Sequence, residues 1–418
     1  MVASTDIKFY VHTNNNAPQL QNSYGSMINV LDACLVNGIN IGTISSLTAS
    51  GSTVTALFSS AHNLMQYQVI KIAGAAQAEF NGEHRILTIP NSSSLTFELA
   101  TAPSVTTATG AISASLPPLG WEKPFSSSNP NGGGKAAYRS TNLLLPSRPF
   151  LRVVDELDPV WNSNYAKYAK VGIVEDMSDI DTLIGAQVPY DTANPNKNWQ
   201  GTGSGSSAYN GWAKWYYSRY QLGGGTADQT TPPNGNKTWI IVGDGDYFYI
   251  SNITSSNDNA AHLHGFGCFD TYAETVDFGN WILSASYAYK RADEYIYTTD
   301  YGGLGSSQQT NYAMYDLNYS LSNKAISLSP TGLNESAVRS GNSNDIGYNT
   351  NTPIMFFPVY LLEGTVIRGS LKNLFWLRRA LPFSNRQLIQ RKGSVFIAVS
   401  ATVYNSFQGQ VMMKLGEI

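Results

Sequence analysis

Residues Leu116–Arg139 read LPPLGWEKPFSSSNPNGGGKAAYR. Two prolines, a tryptophan, a Pro-Phe pair and a Gly-rich loop separate two kinds of sequence. A short-strand segment rich in Ser, Thr and Ala comes before it, and an irregular Tyr/Trp/Asn-rich segment follows. Pro117, Pro118, Pro124 and the loop Ser126–Gly134 argue against long regular structure here. Trp121 and Phe125 are the large apolar anchors of an otherwise extended segment, expected to staple it to the core. The stretch therefore reads as the seam between a small β-module and a main body, with the Asn129–Gly134 loop its least constrained part.

Upstream of the seam, Ile7–His12 (IKFYVH) has the β-branched and aromatic content of a strand. Ser26–Val36 (SMINVLDACLV) carries apolar residues at helical spacing, with Ser23 or Ser26 as a cap and Gly38 as the stop. Ile39–Ala114 predicts short strands at Thr43–Ser50, Thr53–Phe58, Gln68–Ala73, His84–Ile89, Leu95–Ala100 and Gly110–Ser115. Turn signals separate them, including Asn81-Gly82 as a hairpin signal. That spacing is the pattern of a small barrel or sandwich, too small to be very stable alone.

Downstream, the segments Ala136–Thr141, Phe150–Val154, Ala169–Asp176, Trp239–Asp244, Tyr247–Ile250, Trp281–Tyr287, Ala325–Leu328, Ile354–Tyr360, Val366–Gly369, Val395–Ser400 and Gln410–Leu415 read as strands. Asp244-Gly245-Asp246 forms a tight hairpin between two of them. Leu371–Arg379 reads as a second short helix. Long polar loops fall at Asp191–Gly211, Leu222–Asn236, Tyr301–Asn311 and Thr331–Thr352. The fold class is thus mainly β: a β-sandwich-like main body (1–38 and 117–418) with an inserted small all-β barrel or sandwich (39–116) and one or two short helices.

Composition narrows the function. The 418 residues carry a net charge of −3 and only 13% charged residues, about half the usual share. Aromatic residues make up 12%, so the chain is not of the disordered type. Low charge with abundant Tyr suits surfaces that meet other proteins, which favours a stable oligomer or a larger assembly. Near-neutral charge gives no case for nucleic-acid binding. No apolar run is long enough for a membrane span. The N-terminus lacks the pattern of a secretory signal. Cys34 and Cys268 sit in no metal-binding spacing and read as two buried free thiols.

Candidate chemistry is sparse, and each candidate has a plainer reading. His262-x-His264 on a strand would put two imidazoles on one face, as a metal site needs; the plainer reading is loop or interface histidines. Asp244 and Asp246, with Asp270, Glu274 or Asp277, offer the paired carboxylates of a glycosidase, against ordinary turn chemistry for the first two. Asp176, Asp179 and Asp181 suggest a polar turn or a calcium loop, without the spacing of an EF-hand. No phosphate-binding loop or nucleophile elbow is present. Trp212, Trp215, Tyr216, Tyr217 and Tyr220 form an aromatic cluster that reads as a subunit interface or core, or as a glycan-binding platform. Arg368, Lys372, Arg378, Arg379, Arg386, Arg391 and Lys392 form a late basic group that could face nucleic acid inside a particle, against the plainer reading of an acidic partner subunit or solvent. No catalytic residue, metal or cofactor is expected.

Several phrases, in order, resemble a family of tailed-bacteriophage and prophage virion structural proteins. They are LDACLVNG (Leu31–Gly38), FNGEHRI (Phe80–Ile86), ATGAISA (Ala108–Ala114), PLGWEKPFS (Pro118–Ser126), KAAYRS (Lys135–Ser140), LRVVDE (Leu151–Glu156), EDMSDIDT (Glu175–Thr182) and WIIVGDGDYFYI (Trp239–Ile250). The inserted Asn129–Gly134 loop departs from that pattern, and the C-terminal part matches loosely through LEGTVIRGSLKNLFW (Leu362–Trp376). The resemblance implies a non-enzymatic virion part made in the bacterial host cytoplasm. Its partners would be copies of itself and other virion proteins, with host-surface glycan as the alternative partner of an adhesin. Nothing resembles the long helix of a major capsid fold, which points to tail, baseplate or neck.

Overall fold

The computed structural model describes residues 3–190, 192–205, 208, 211–220, 228–255, 261–272, 280–287, 312–317, 325–330, 354–363, 366–377, 381–404 and 407–418. The chain is mainly β. In order come β1 (Lys8–Val11), α1 (Ser26–Leu31) running into a π turn (Asp32–Asn37), β2 (Ile39–Ser50), β3 (Thr53–Phe58), β4 (Val69–Ala75), β5 (Gly82–Arg85), β6 (Thr88–Asn91), β7 (Ser94–Glu98) and β8 (Gly110–Leu116). There follow β9 (Trp121–Ser128), β10 (Gly133–Ser140), β11 (Phe150–Glu156), β12 (Lys167–Met177), β13 (Leu183–Val188), β14 (Ala213–Ser218), β15 (Trp239–Gly243), β16 (Tyr247–Ile253), β17 (Ala261–Cys268), β18 (Asp270–Thr271) and β19 (Trp281–Tyr287). The remainder is β20 (Tyr312–Leu317), β21 (Ala325–Pro330), β22 (Phe356–Glu363), β23 (Val366–Leu377), β24 (Leu388–Arg391), β25 (Ser394–Tyr404) and β26 (Phe407–Glu417).

β2–β8 form their own antiparallel sheet in the order β5-β4-β8-β2-β3-β7-β6. The long β2 alternates buried and exposed residues along most of its length, as a strand with one solvated face must. Asn81-Gly82 does not make a two-residue hairpin. A 3-10 turn (Ala78–Phe80) intervenes, and the Asn81 side chain clasps both the N–H and the C=O of Ala75. The single strand expected at His84–Ile89 is two, β5 and β6.

The core of this sheet is continuous with the rest of the chain. Ile44, Leu47, Phe97 and Ile112 share one buried cluster with Met27 and Leu31 of α1, Trp121, Leu151, Trp215 and Phe248. Polar ties reinforce the join. Buried Arg85 donates to the carbonyls of Ser4, Ile7 and Tyr67, and Gln68 exchanges side-chain hydrogen bonds with Asn14.

In the main body, β15, β16 and β17 are buried on both faces. Ile241, Phe248, Ile250 and Phe266 face the first core. Ile240, Val242, Tyr249 and Leu263 face a second, which is closed by Leu374, Trp376, Ile397, Val399 and Val411 from β23, β25 and β26. This second core is the sandwich-like layer. Leu371–Arg379 is not a helix: Leu371–Leu377 belongs to β23, and Arg378 and Arg379 lie outside the described residues. Asn373 has φ +56°, and the pairing with β22 jumps between Pro358 and Tyr360. That bulge breaks the two-residue alternation and imitates helical spacing in the sequence.

Candidate functional site

The seam is built from strand, not loop. β9 begins at Trp121 and pairs antiparallel with β10 from Trp121↔Ser140 to Ser128↔Gly134. Pro124, which cannot donate to a ladder, falls where the register shifts. Trp121 is 3% exposed. Its indole Nε1 donates to the Asp244 carbonyl at 2.9 Å, and its ring meets Phe248, Phe266 and Trp281 at centroid distances of 5.5, 5.6 and 6.2 Å. Phe125 is half-buried and packs on Phe150.

The Asn129–Gly134 loop is more constrained than the sequence implies. Asn129 N–H donates to the Gly133 carbonyl, Gly132 N–H to the Asn129 carbonyl, and the Asn129 side chain to Glu156. Gly133 holds φ +76°, and a Cβ there would sit 1.9 Å from the Asp155 carbonyl oxygen and 3.0 Å from Gly25 N. Only glycine fits that approach of hairpin to helix.

α1 is not capped by Ser23 or Ser26. Its N-cap is Gly25 with φ +86°, and no neighbouring side chain bonds the first turn. The cap comes from β11: Asp155 Oδ2 accepts from Met27 N–H at 3.0 Å and Ile28 N–H at 3.3 Å. Tyr217 Oη donates to the other carboxylate oxygen at 2.6 Å. Burial pushes the Asp155 carboxyl up to about 6, against the pull of these donors. At the helix's other end, Leu119 N–H and Gly120 N–H satisfy the Cys34 and Leu35 carbonyls. Asp32 accepts from Lys123 Nζ at 2.6 Å and Tyr138 Oη at 2.7 Å.

Between α1 and the β9–β10 hairpin lies a groove of about 760 Å³. Its walls are Tyr24, Asn29, Lys123, Ser126–Ser128 and Lys135, and Gly25 and Gly133 also line it. The serines and Asn29 are exposed, and among the described residues their side chains make no hydrogen bond. Lys135 Nζ bonds both Asp181 oxygens, at 2.8 and 2.9 Å. Sequence reasoning missed Tyr24, Asn29 and Asp155 here, because what unites them is the approach of segments 100 or more residues apart.

Burial selects core from the readings open to the aromatic cluster. Trp212 is 6% exposed, and Trp215, Tyr216 and Tyr217 are 0%. Ala213–Ser218 is β14, buried along its whole length between β12 and β19. Trp215 Nε1 donates to the Ser284 carbonyl, and Tyr216 Oη to Asp228. These four side chains are core, out of reach of a glycan or a second subunit. Tyr220, just past the strand, is 40% exposed.

His262 and His264 lie on β17, on one face as expected, but in the interior and not in a loop. Both are 0% exposed, their rings stack at 5.7 Å, and none of their four ring nitrogens has a hydrogen-bond partner. Burial pushes His262 down to about 3 and His264 well below the usual range, with Arg219 and His262 respectively adding to the effect. Among the described residues no three His, Cys, Asp or Glu side chains converge as a metal site would need. Cys34 and Cys268 are free and buried.

The carboxylate candidates are occupied locally. Asp244 Oδ1 accepts from the N–H groups of Asp246 and Tyr247, which is turn chemistry. Asp179 does the same for Asp181 and Thr182. Glu274 and Asp277 lie outside the described residues, as do Tyr301–Asn311 and Thr331–Thr352. Of the basic group, Arg386 lies against His12, Arg391 stacks on Phe356, and Tyr272 N–H bonds the Arg368 carbonyl. No described helix is long and apolar enough to cross a membrane.

No protein-family model and no curated protein matches the chain. Among solved structures, "Phage phi92 endosialidase" aligns with 90% of this chain and 51% of its own length, at 9% identity and a TM-score of 0.17. The chain thus spans about half the length of that structure, and a superposition this loose carries no argument about fold or function.

Proposed function

We propose that this chain is a non-enzymatic structural subunit of a tailed-bacteriophage virion, a tail, baseplate or neck component that self-assembles and contacts other virion proteins. One observation carries the reading. The phrases that resemble the virion family fall on elements that lock one another together, and their polar residues are spent on that lock. Asp32 of LDACLVNG holds Lys123 of PLGWEKPFS and Tyr138 of KAAYRS. Asp155 of LRVVDE caps the helix that runs into LDACLVNG. Asp181 of EDMSDIDT binds Lys135 and Arg152. The GDGD turn receives Trp121 Nε1 on the Asp244 carbonyl and Ser140 Oγ on the Gly245 carbonyl. Phrases spent on scaffolding in this way suit a subunit whose work is its shape.

Mass spectrometry of purified particles, with a particle reconstruction, tests the proposal. The chain is expected at a fixed, symmetric copy number. Its absence from particles would overturn the reading. The burial of Trp212, Trp215, Tyr216 and Tyr217 leaves an adhesin built on that cluster without support.

A further inference from the structure

We propose that Asn131, at the tip of the β9–β10 hairpin, is a site of self-modification: its side-chain amide is converted to a carboxylate by attack of the Gly132 backbone nitrogen. The inference stands apart from the virion reading. The reaction needs an asparagine whose side-chain carbon can be reached by the next residue's backbone nitrogen. Glycine crowds that approach least, because it has no Cβ. Asn-Gly occurs at Asn37, Asn81, Asn131, Asn210 and Asn234. Asn210 lies outside the described residues.

The structure separates the other four. Asn81 is locked, since its side chain bonds both the N–H and the C=O of Ala75. Asn234 Oδ1 is held by Asn22 Nδ2 at 3.4 Å. Asn37 is exposed, but its glycine is wedged. A Cβ on Gly38 would lie 2.7 Å from the Leu116 carbonyl oxygen and 3.3 Å from Pro118 Cδ. The Gly38 peptide therefore cannot swing toward Asn37 without disturbing the pairing of β2 with β8 beside it. Asn131 has none of these restraints. Asn131 and Gly132 are both exposed, and among the described residues the Asn131 side chain makes no hydrogen bond. Gly132 takes φ +101°, with nothing within 4 Å of the place a Cβ would occupy. What holds its nitrogen is one bond, from Gly132 N–H to the Asn129 carbonyl at 2.9 Å. A bond at an exposed turn opens far more readily than the core does.

The chemistry needs only water and hydroxide. Hydroxide takes the Gly132 amide proton, and the nitrogen's electron pair forms a bond to Asn131 Cγ. The side-chain nitrogen leaves as ammonia, with a cyclic succinimide left behind. Water then adds to one of the two ring carbonyls, and that carbonyl's bond to the Gly132 nitrogen breaks. Opening at Cγ gives aspartate. Opening at the main-chain carbonyl gives isoaspartate, whose backbone runs through Cβ and Cγ. Either product puts a new carboxylate in the turn that Asn129 ties to Glu156 at 3.1 Å. Isoaspartate also lengthens the turn beside Gly133, which is wedged against Gly25 and the Asp155 carbonyl. The change at the tip therefore acts on the brace between hairpin and α1.

The test is peptide mapping by mass spectrometry of the full chain, held folded at mildly alkaline pH and sampled over time, with a parallel sample in urea. In urea Asn37, Asn81, Asn131 and Asn234 are expected to convert at comparable rates. In the folded chain Asn131 is expected to convert ahead of the other three, with isoaspartate and aspartate both present at that position. Asn131→Ser, at an exposed position, should abolish the mass gain in its peptide and leave the other peptides as in the wild type. Converted chain, separated by ion exchange, should show faster amide exchange at Met27 and Ile28 than unconverted chain. The proposal fails if Asn131 stays intact in the folded chain through the time in which it converts in urea, or if Asn37, Asn81 or Asn234 converts first. Equal exchange in the two forms would overturn the link to the helix.

Discussion

Trp121 joins three parts of the molecule through one side chain: it starts β9, receives the aromatic rings of β16, β17 and β19, and donates to the β15–β16 turn. Trp121→Ala should therefore cost about 3–5 kcal/mol, read by urea unfolding, since it leaves both a cavity and an unpaired Asp244 carbonyl. A loss near zero would contradict its role as an anchor. His262 and His264 make a second residue-scale case, in which the sign follows from burial. Their folded values lie below the ordinary 6.5. Under acid the unfolded chain takes up protons that the folded chain refuses. Stability is unaffected above about pH 6.5 and falls below it, by about 1.4 kcal/mol per pH unit for each histidine. Asp155 and Asp244, raised to about 6, act the other way as pH falls from about 6 toward 4, because the folded state binds their protons first. A variant isolates the histidine effect. The stability difference between His264→Leu and wild type should widen in the variant's favour from pH 7 to pH 5; a constant difference would show that the ring is not buried as described.

The β9–β10 hairpin and α1 depend on each other as elements. Gly133→Ala would place a methyl group against the Asp155 carbonyl at a positive φ. It is expected to cost at least about 2 kcal/mol and to loosen the helix, visible as faster amide exchange at Met27 and Ile28. Exchange unchanged from the wild type would mean that the hairpin does not brace the helix. Which elements were legible in the sequence follows from how each is buried. β15, β16 and β19 announce themselves through β-branched and aromatic runs. β14 did not, because burial on both faces removes the alternation that marks a half-exposed strand. Its WAKWYYS therefore left core, subunit interface and glycan platform all open. β17 was hidden by its histidines and glycines, and β23 by the Asn373 bulge. The groove had no local signal at all, since its walls come from residues 24–29 and 123–135 and its brace from Asp155.

At the scale of the whole molecule, the sheet of β2–β8 looks separable in sequence yet shares its core with the body. Arg85 bonds the carbonyls of Ser4 and Ile7, and Gln68 bonds Phe9 and Asn14, so both tie the sheet to the N-terminal segment. A fragment of residues 39–116 expressed alone is therefore expected to melt well below the intact chain, or without a cooperative transition. A fragment that matches the intact chain would show the shared core to be incidental. The cap on α1 has a consequence for how the chain comes off the ribosome. Met27 and Ile28 are made early, but the carboxylate that holds them belongs to Asp155, and the phenol that holds that carboxylate belongs to Tyr217. β1 likewise waits for β15. At an elongation rate of about 5–20 residues per second the helix segment goes on the order of ten seconds without its cap. Residues 8–31 are thus translated well before the residues that secure them, and through that interval their apolar face is open to chaperones or to a neighbouring nascent chain.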